Sequence, residues 1–188
     1  LMRPVFEAAR EASRRIVFAE GEDERVLRAA NAILEETTEV PILIGRPEVV
    51  AMRAERAGLP IRPDRDFEIV NPESDRRYRA YWETYHGLME RRGVTPDLAR
   101  AILRTNTTAI GAVMVHRGEA DSLICGTFGQ FLWHLNYVGQ VLARDGLRPI
   151  GALSLMIQEE GPLLIADTQV HPEPSPEQIA ETAAGAAR

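Results

Sequence analysis

Lysine is absent from the 188-residue chain, so every basic side chain is an arginine. This excludes mechanisms that use an amine nucleophile or a Schiff base. It also excludes the lysine of phosphate-binding loops and the strand lysine of protein kinases. No HExxH or GxGxxG pattern occurs, so neither a zincin helix nor the standard dinucleotide-binding loop is predicted.

Cysteine occurs once, as Cys125, so neither an internal disulfide nor a cysteine-rich zinc site can form. A single cysteine favours a reducing compartment, and we expect a cytoplasmic location. No apolar run approaches the ~20 residues that a membrane-spanning helix needs. The four histidines do not have metal-ligand spacing, and no metal site is predicted. The net charge of −6 argues against nucleic acids and anionic membranes as partners.

Short β-rich segments alternate with amphipathic helical segments along the chain. This order is typical of an α/β domain with a mostly parallel sheet and flanking helices. Strands are expected at 15–18, 40–44, 67–70 and 122–124, the last one buried, and a strand pair at 150–157 and 163–166. A helix is expected over about 126–142. A shift in composition near residue 145 predicts a boundary there.

One segment combines the end of a strand with a glycine-containing turn. The strand ends at Cys125, and ligands of α/β sheets bind where strands end and backbone N–H groups are free. The alternative is a plain tight turn beside a buried Cys125, which has no basic neighbour to activate it as a nucleophile. The candidate ligand-binding residues are Gly126, Thr127, Gly129, Gln130 and His134.

The acidic turn at residues 20–25 has two interpretations. Acidic side chains in a first helical turn stabilise the helix by roughly 0.3–1 kcal/mol each. Alternatively, the turn lies at a cleft or interface where Glu20 pairs with Arg25.

Four aromatic residues form a stripe on an otherwise charged helix. Core packing is the simpler interpretation of this stripe. A subunit interface is the rival, because interfaces are enriched in Tyr, Trp and Arg. The candidate interface residues are Tyr78, Tyr81, Trp82 and Tyr85.

A series of segments, in this order, resembles the phosphotransacetylase family. The resemblance is stronger to the phosphotransacetylase-like domain at the C-terminus of the large NADP-dependent bacterial malic enzymes. It covers essentially the whole chain, and the set of segments is specific although no single one is diagnostic. The segments are 2–6, 20–27, 41–47, 66–71, 81–82, 89–95, 110–115, 117–121, 125–127 and 165–168.

The resemblance implies a two-lobed fold related to isocitrate and isopropylmalate dehydrogenases. Residues 1–145 would form the first lobe, and residues 146–188 would begin the second. Because the chain starts without Met and stops inside a helical pattern, we expect a truncated domain that lacks much of the family's pocket for coenzyme A and acyl phosphate. NADP and Mg or Mn are expected only in a separate malic-enzyme domain of the same polypeptide, which oxidatively decarboxylates malate to pyruvate and CO2.

One departure from the family pattern bears on function. Active phosphotransacetylases carry a Thr-rich turn that leads to an Arg-Pro step, and the arginine helps to hold phosphate. This chain has no arginine from Thr127 until Arg144. The resemblance therefore implies a regulatory domain without catalytic residues or cofactors of its own, which senses acetyl-CoA and forms a homo-oligomer built from dimers. The alternatives are an active phosphate acetyltransferase and a plain assembly module that binds no metabolite.

Overall fold

The computed structural model describes residues 3–11, 14–143, 150–159, 161–167 and 169–187. Two compact units are present, one of them Ala9–Leu142 and the other Leu1–Ala8 together with Ala143–Arg188. The predicted boundary at residue 145 lies outside the described residues. The sequence interpretation differs in assigning the first eight residues to the first lobe.

The secondary structure alternates as the sequence pattern predicts. The helices are α1 (Arg3–Glu11), α2 (Glu24–Glu36), α3 (Pro47–Arg56), α4 (Tyr78–Met89), α5 (Pro96–Thr105), α6 (Thr107–His116), α7 (Phe131–Leu142) and α8 (Pro176–Ala186). A 3-10 turn, Glu90–Arg92, follows α4. The strands are β1 (Ile16–Phe18), β2 (Ile42–Ile44), β3 (Glu68–Val70), β4 (Ser122–Ile124), β5 (Leu153–Gln158) and β6 (Gly161–Ala166).

The larger unit is built on a four-stranded sheet in the order β3-β2-β1-β4. All of its strand pairs are parallel, which confirms the predicted α/β class. Successive side chains of a strand point to opposite faces, so the short apolar strands serve two cores. Val17 and Ile42 pack with α4, α5 and α6 on one face, whereas Phe18 and Leu43 pack with α2 and α3 on the other.

Helix starts are set by local signals that are visible in the sequence. The Thr95 side chain accepts a hydrogen bond from the backbone N–H of Leu98 at 3.2 Å, and Pro96 opens α5. An N-cap oxygen satisfies a backbone donor that the helix itself leaves unpaired. Asn106 ends α5 and caps α6 by accepting from the N–H of Ala109 at 2.9 Å.

Two predictions about the β4 region are wrong. Strand 122–124 exists but is not buried, because β4 is the edge of the sheet and Ile124 is 47% exposed. The following helix begins at Phe131 and not at residue 126. Gly126 and Gly129 adopt φ values of +98° and +89°, which are incompatible with a right-handed helix.

In the second unit, β5 and β6 form an antiparallel hairpin, which confirms the predicted strand pair. Helix α8 packs against β6. A capping box starts α8, in which Ser175 and Gln178 each accept from the other's backbone N–H. The hairpin carries exposed apolar side chains at Leu153, Leu155, Met156, Leu163, Leu164 and Ile165.

Candidate functional site

The carboxyl ends of the parallel strands meet at one edge of the sheet. The chain continues the strand pairing beyond these ends: Ala19 N–H donates to the Ile124 carbonyl at 2.9 Å, and Gly21 N–H to the Ile44 carbonyl at 3.0 Å. A Cβ at Gly21 would lie 2.8 Å from that same carbonyl oxygen, so only glycine fits there. The loops after β1 and β2 are therefore held close together in a defined position.

A cleft of about 400 Å³ opens at this edge, within the larger unit. Its walls come from the loops after β1, β2 and β3, from α3, from the junction of α5 and α6, and from the turn after β4. This is the usual place for a ligand in an open α/β sheet. The volume also falls within the roughly 300–1,000 Å³ range of ligand pockets.

His134 forms a hydrogen bond with the backbone of the predicted turn. Its Nε2 lies 2.7 Å from the Phe128 carbonyl oxygen and its Nδ1 lies 2.8 Å from Thr108 Oγ1. The carbonyl can only accept, so Nε2 carries a proton, and in the neutral ring the Thr108 hydroxyl donates to Nδ1. With both nitrogens engaged and 5% of its surface exposed, His134 supports the turn, and its role in binding a ligand stays a prediction.

Glu20 anchors the same turn from β1. Its Oε1 accepts from the Gly126 N–H at 3.1 Å and lies 3.9 Å from Nδ1 of His134. Glu20 is 5% exposed, and its Oε2 is buried without a hydrogen-bond partner among the described residues. Burial of a carboxylate is costly unless it is paired, so this oxygen is a polar group that the fold leaves unsatisfied.

Arg25 reaches the turn from α2. Its Nη2 donates to the Thr127 carbonyl at 2.6 Å. The same guanidinium binds the Asp23 carboxylate through Nε at 3.0 Å and Nη2 at 2.9 Å. The alternative in which Arg25 pairs with Glu20 is therefore wrong, because the carboxylate that Arg25 binds is that of Asp23, two residues away.

The remaining predicted residues lie in the turn itself, from which Phe128 lines the cleft. Gly126, Gly129 and Gln130 are exposed. Thr127 is half-buried, and its hydroxyl oxygen has no hydrogen-bond partner in the part of the chain that the structure describes. Their role in binding a ligand stays a prediction.

Burial raises the pKa of the Cys125 thiol, and the nearby Glu20 carboxylate raises it further. A thiol of raised pKa is a poor nucleophile, in agreement with the sequence argument.

The aromatic stripe is divided by burial. Tyr81 and Tyr85 are 1% exposed and belong to the core, so they are not free to form an interface, and the core interpretation holds for both. Tyr78 and Trp82 are half-buried, and the guanidinium groups of Arg104 and Arg100 lie 4.6 and 4.2 Å from their ring centroids. An interface role for Tyr78 and Trp82 stays a prediction.

Arginines on three elements line or border the cleft, and sequence reasoning missed them. Arg46 forms a bidentate pair with Glu22 at 2.8 and 2.9 Å, and these hydrogen bonds lower the Glu22 pKa. Arg53 of α3 and Arg104 of α5 also line the cleft. In the described part of the chain, no group of His, Cys, Asp and Glu side chains is arranged to hold a metal ion.

The sheet, its helices and the cleft at the strand ends define an α/β domain of the phosphotransacetylase type. All 188 residues match the phosphate acetyl/butaryl transferase family, and the chain belongs to that family. A phosphotransacetylase structure from Streptococcus pyogenes superposes with a TM-score of 0.84 at 26% identity, over 97% of this chain and 56% of that one.

The chain is also similar to one part of bacterial malic enzymes. It is 54% identical over its whole length to an NAD-dependent malic enzyme of Rhizobium meliloti (strain 1021) and covers 24% of that protein. It is 46% identical over 99% of its length to an NADP-dependent malic enzyme of Salmonella typhimurium (strain LT2), of which it covers 25%. The chain therefore spans about a quarter of these relatives and corresponds to their phosphotransacetylase-like part. Among the described helices, none combines the length and the apolarity needed to cross a membrane.

Proposed function

We propose that this chain is the regulatory, effector-binding domain of a cytoplasmic malic enzyme that oxidatively decarboxylates malate with NADP. Its effector is acetyl-CoA, which lowers malate oxidation, and the domain itself does not transfer acetyl groups. The domain also contributes a dimer interface. NADP and the metal ion belong to a separate domain of the same polypeptide. The 54% and 46% identity to parts of malic enzymes supports the assignment of the parent enzyme.

The observation that carries the proposal is the state of the turn after β4. Its backbone is held in place by His134, Glu20 and Arg25, so it is preorganised to receive a ligand. Among the described residues, the guanidinium that hydrogen-bonds to the turn is that of Arg25, and its charge is offset by Asp23. Transfer of an acetyl group between coenzyme A and phosphate needs cationic donors that hold the phosphate. The turn supports binding better than it supports catalysis.

The regulatory proposal is tested on the full-length enzyme. Acetyl-CoA is expected to lower the rate of malate oxidation, and deletion of this domain is expected to abolish that inhibition while malate oxidation persists. Allosteric coupling of this kind amounts to about 1–3 kcal/mol, or roughly 5- to 150-fold. Inhibition that survives deletion of the domain contradicts the regulatory proposal.

The rival function is an active phosphate acetyltransferase. It is favoured by the arginines of the cleft, Arg53 and Arg104, which other helices bring to the site from outside the turn. A coupled assay with acetyl phosphate and coenzyme A separates the two functions. Turnover above background that depends on the coenzyme would establish the rival.

A further inference from the structure

The described sheet of the larger unit ends differently at its two edges, β3 and β4. At the β3 edge, Glu68 begins the strand, and its carboxylate is bound by Arg77 at 2.8 Å. Charged side chains on an edge strand keep it from pairing with another chain. At the β4 edge, residues 122–142 include no aspartate, glutamate, lysine or arginine. The β4 edge therefore lacks the protection that the β3 edge has.

Large apolar side chains are exposed at the end of β4 and in the first turn of α7. We call these residues, each of which is 44–69% exposed, the β4 patch: Ile124, Phe131, Leu132 and Trp133. Since one aromatic side chain presents about 150–250 Å² in full, the β4 patch exposes roughly 400 Å² of apolar surface. An edge strand also presents unpaired backbone N–H and C=O groups. Apolar surface of this size beside such a strand is typical of a surface that another segment covers.

The size of the β4 patch argues against a second copy of the chain as the covering segment. A stable interface between two proteins takes about 800 Å² from each partner, about twice what the β4 patch offers. A covalently connected segment can bind a smaller surface, because its effective concentration is in the mM range. The phosphotransacetylase of Streptococcus pyogenes shares this fold and has further chain that could supply such a segment, since this chain covers 56% of it.

We propose that a strand of the same polypeptide, from its phosphotransacetylase-like part outside residues 1–188, pairs with β4 and covers the β4 patch. Backbone hydrogen bonds to the free side of β4 extend the sheet by one strand, and apolar side chains of the added segment pack on Phe131, Leu132 and Trp133. The sequence pattern of β4 predicts a buried strand, and the added strand supplies that burial. The inference concerns the assembly of the fold, so it does not depend on acetyl-CoA being the effector.

The first test measures access to the β4 patch in the full-length protein. Leu132→Cys places a thiol in the patch, and the control Met52→Cys places one on α3, where the side chain is 58% exposed. The rate of maleimide labelling at each site is divided by the rate for the same variant unfolded in urea. We expect this ratio to be at least about tenfold lower for Leu132→Cys, because its thiol reacts only when the covering segment opens locally. A ratio at residue 132 that is no lower than at residue 52 overturns the inference.

The second test identifies the covering segment. The photo-crosslinking amino acid p-benzoylphenylalanine replaces Leu132 in the full-length protein, which is irradiated and then separated by denaturing electrophoresis. We expect a cross-linked product with the mass of one polypeptide, in which mass spectrometry joins residue 132 to a phosphotransacetylase-like peptide outside residues 1–188. A product of doubled mass, a partner peptide within residues 1–188 or in the malic-enzyme part, or the absence of any cross-link overturns the inference. None of these outcomes bears on the regulatory proposal, which is tested separately by inhibition with acetyl-CoA.

Discussion

Substitution of Gly129 by alanine tests whether the turn after β4 is held as the structure has it. At a φ of +89°, a side chain at this position is strained. The ideal Cβ lies 3.1 Å from Nε2 of His134, the nitrogen that donates to the Phe128 carbonyl. The substitution therefore imposes backbone strain and also displaces a ring that is hydrogen-bonded at both nitrogens.

The expected magnitude follows from matched glycines in the same unit. Gly118 has a φ of +71° with no atom within 4 Å of an added Cβ, so Gly118→Ala measures strain alone, about 1–2 kcal/mol. Part of this is offset because alanine also restricts the unfolded chain, by about 0.4–1 kcal/mol. Gly129→Ala should cost about 1 kcal/mol more than Gly118→Ala, the net value of one hydrogen bond. Gly87→Ala, within α4 and without close neighbours, should stabilise by about 0.5–1 kcal/mol.

The measurement is urea unfolding of the three variants. Their midpoint urea concentrations are compared, provided that the dependence of the unfolding free energy on urea concentration is unchanged. On the full-length enzyme, Gly129→Ala should also weaken inhibition by acetyl-CoA, whereas Gly118→Ala should not. Equal costs for Gly129→Ala and Gly118→Ala would refute the role of the His134 contact. A neutral Gly129→Ala would refute the turn conformation itself.

Three further predictions concern the core and the surface of the larger unit. Burial opposes ionisation of Glu119, but hydrogen bonds from Arg117 and Tyr81 outweigh it and lower the Glu119 pKa below its usual 4.5. Ionised Glu119 thus stabilises the fold above pH 4.5, and this contribution disappears as the pH falls through the lowered native pKa. The free energy of unfolding of Glu119→Gln should therefore fall less steeply than that of the wild type as the pH is lowered through the acidic range. Tyr81→Phe removes a 2.7 Å hydrogen bond to that carboxylate and should lower the free energy of unfolding in urea by about 1–2 kcal/mol. The control is Tyr85→Phe, because the Tyr85 hydroxyl donates to the neutral Gln140. If Tyr81→Phe costs no more than Tyr85→Phe, the prediction is wrong. Sedimentation at micromolar concentration should show a dimer that Trp82→Ala weakens, and a single species at the 20.9 kDa chain mass would count against self-association.

The sequence marked the turn after β4, but it did not predict which distant side chains hold that turn. The glycines at 126 and 129 and the strand end before them mark a turn where a ligand could bind, and the cleft lies beside that turn. Two of the three residues that hold the turn, Glu20 and Arg25, lie more than 100 residues from it along the chain. No local pattern predicts that Arg25 pairs with Asp23 and not with Glu20.

The family resemblance correctly predicted the family of the chain. The functional argument drawn from it, however, depended on an arginine that is missing from one turn. The structure brings Arg25, Arg53 and Arg104 to the same edge from α2, α3 and α5. The charge of the cleft is therefore a property of several helices and loops together. It can be judged only after their charges are paired off in three dimensions, as Asp23 does for Arg25.

By itself, the amino-acid sequence determined the order of helices and strands, the parallel α/β class and the starts of helices such as α5 at Thr95. These depend on side-chain periodicity and on caps that act within a few residues. Only the tertiary structure decided which apolar residues are buried, since burial depends on what lies opposite. Tyr81 and Tyr85 are buried in the core because α4 packs against α6. Strand β4 is exposed because it is the edge strand of the sheet. It also decided that His134 supports the turn, because both of its nitrogens are engaged within the chain.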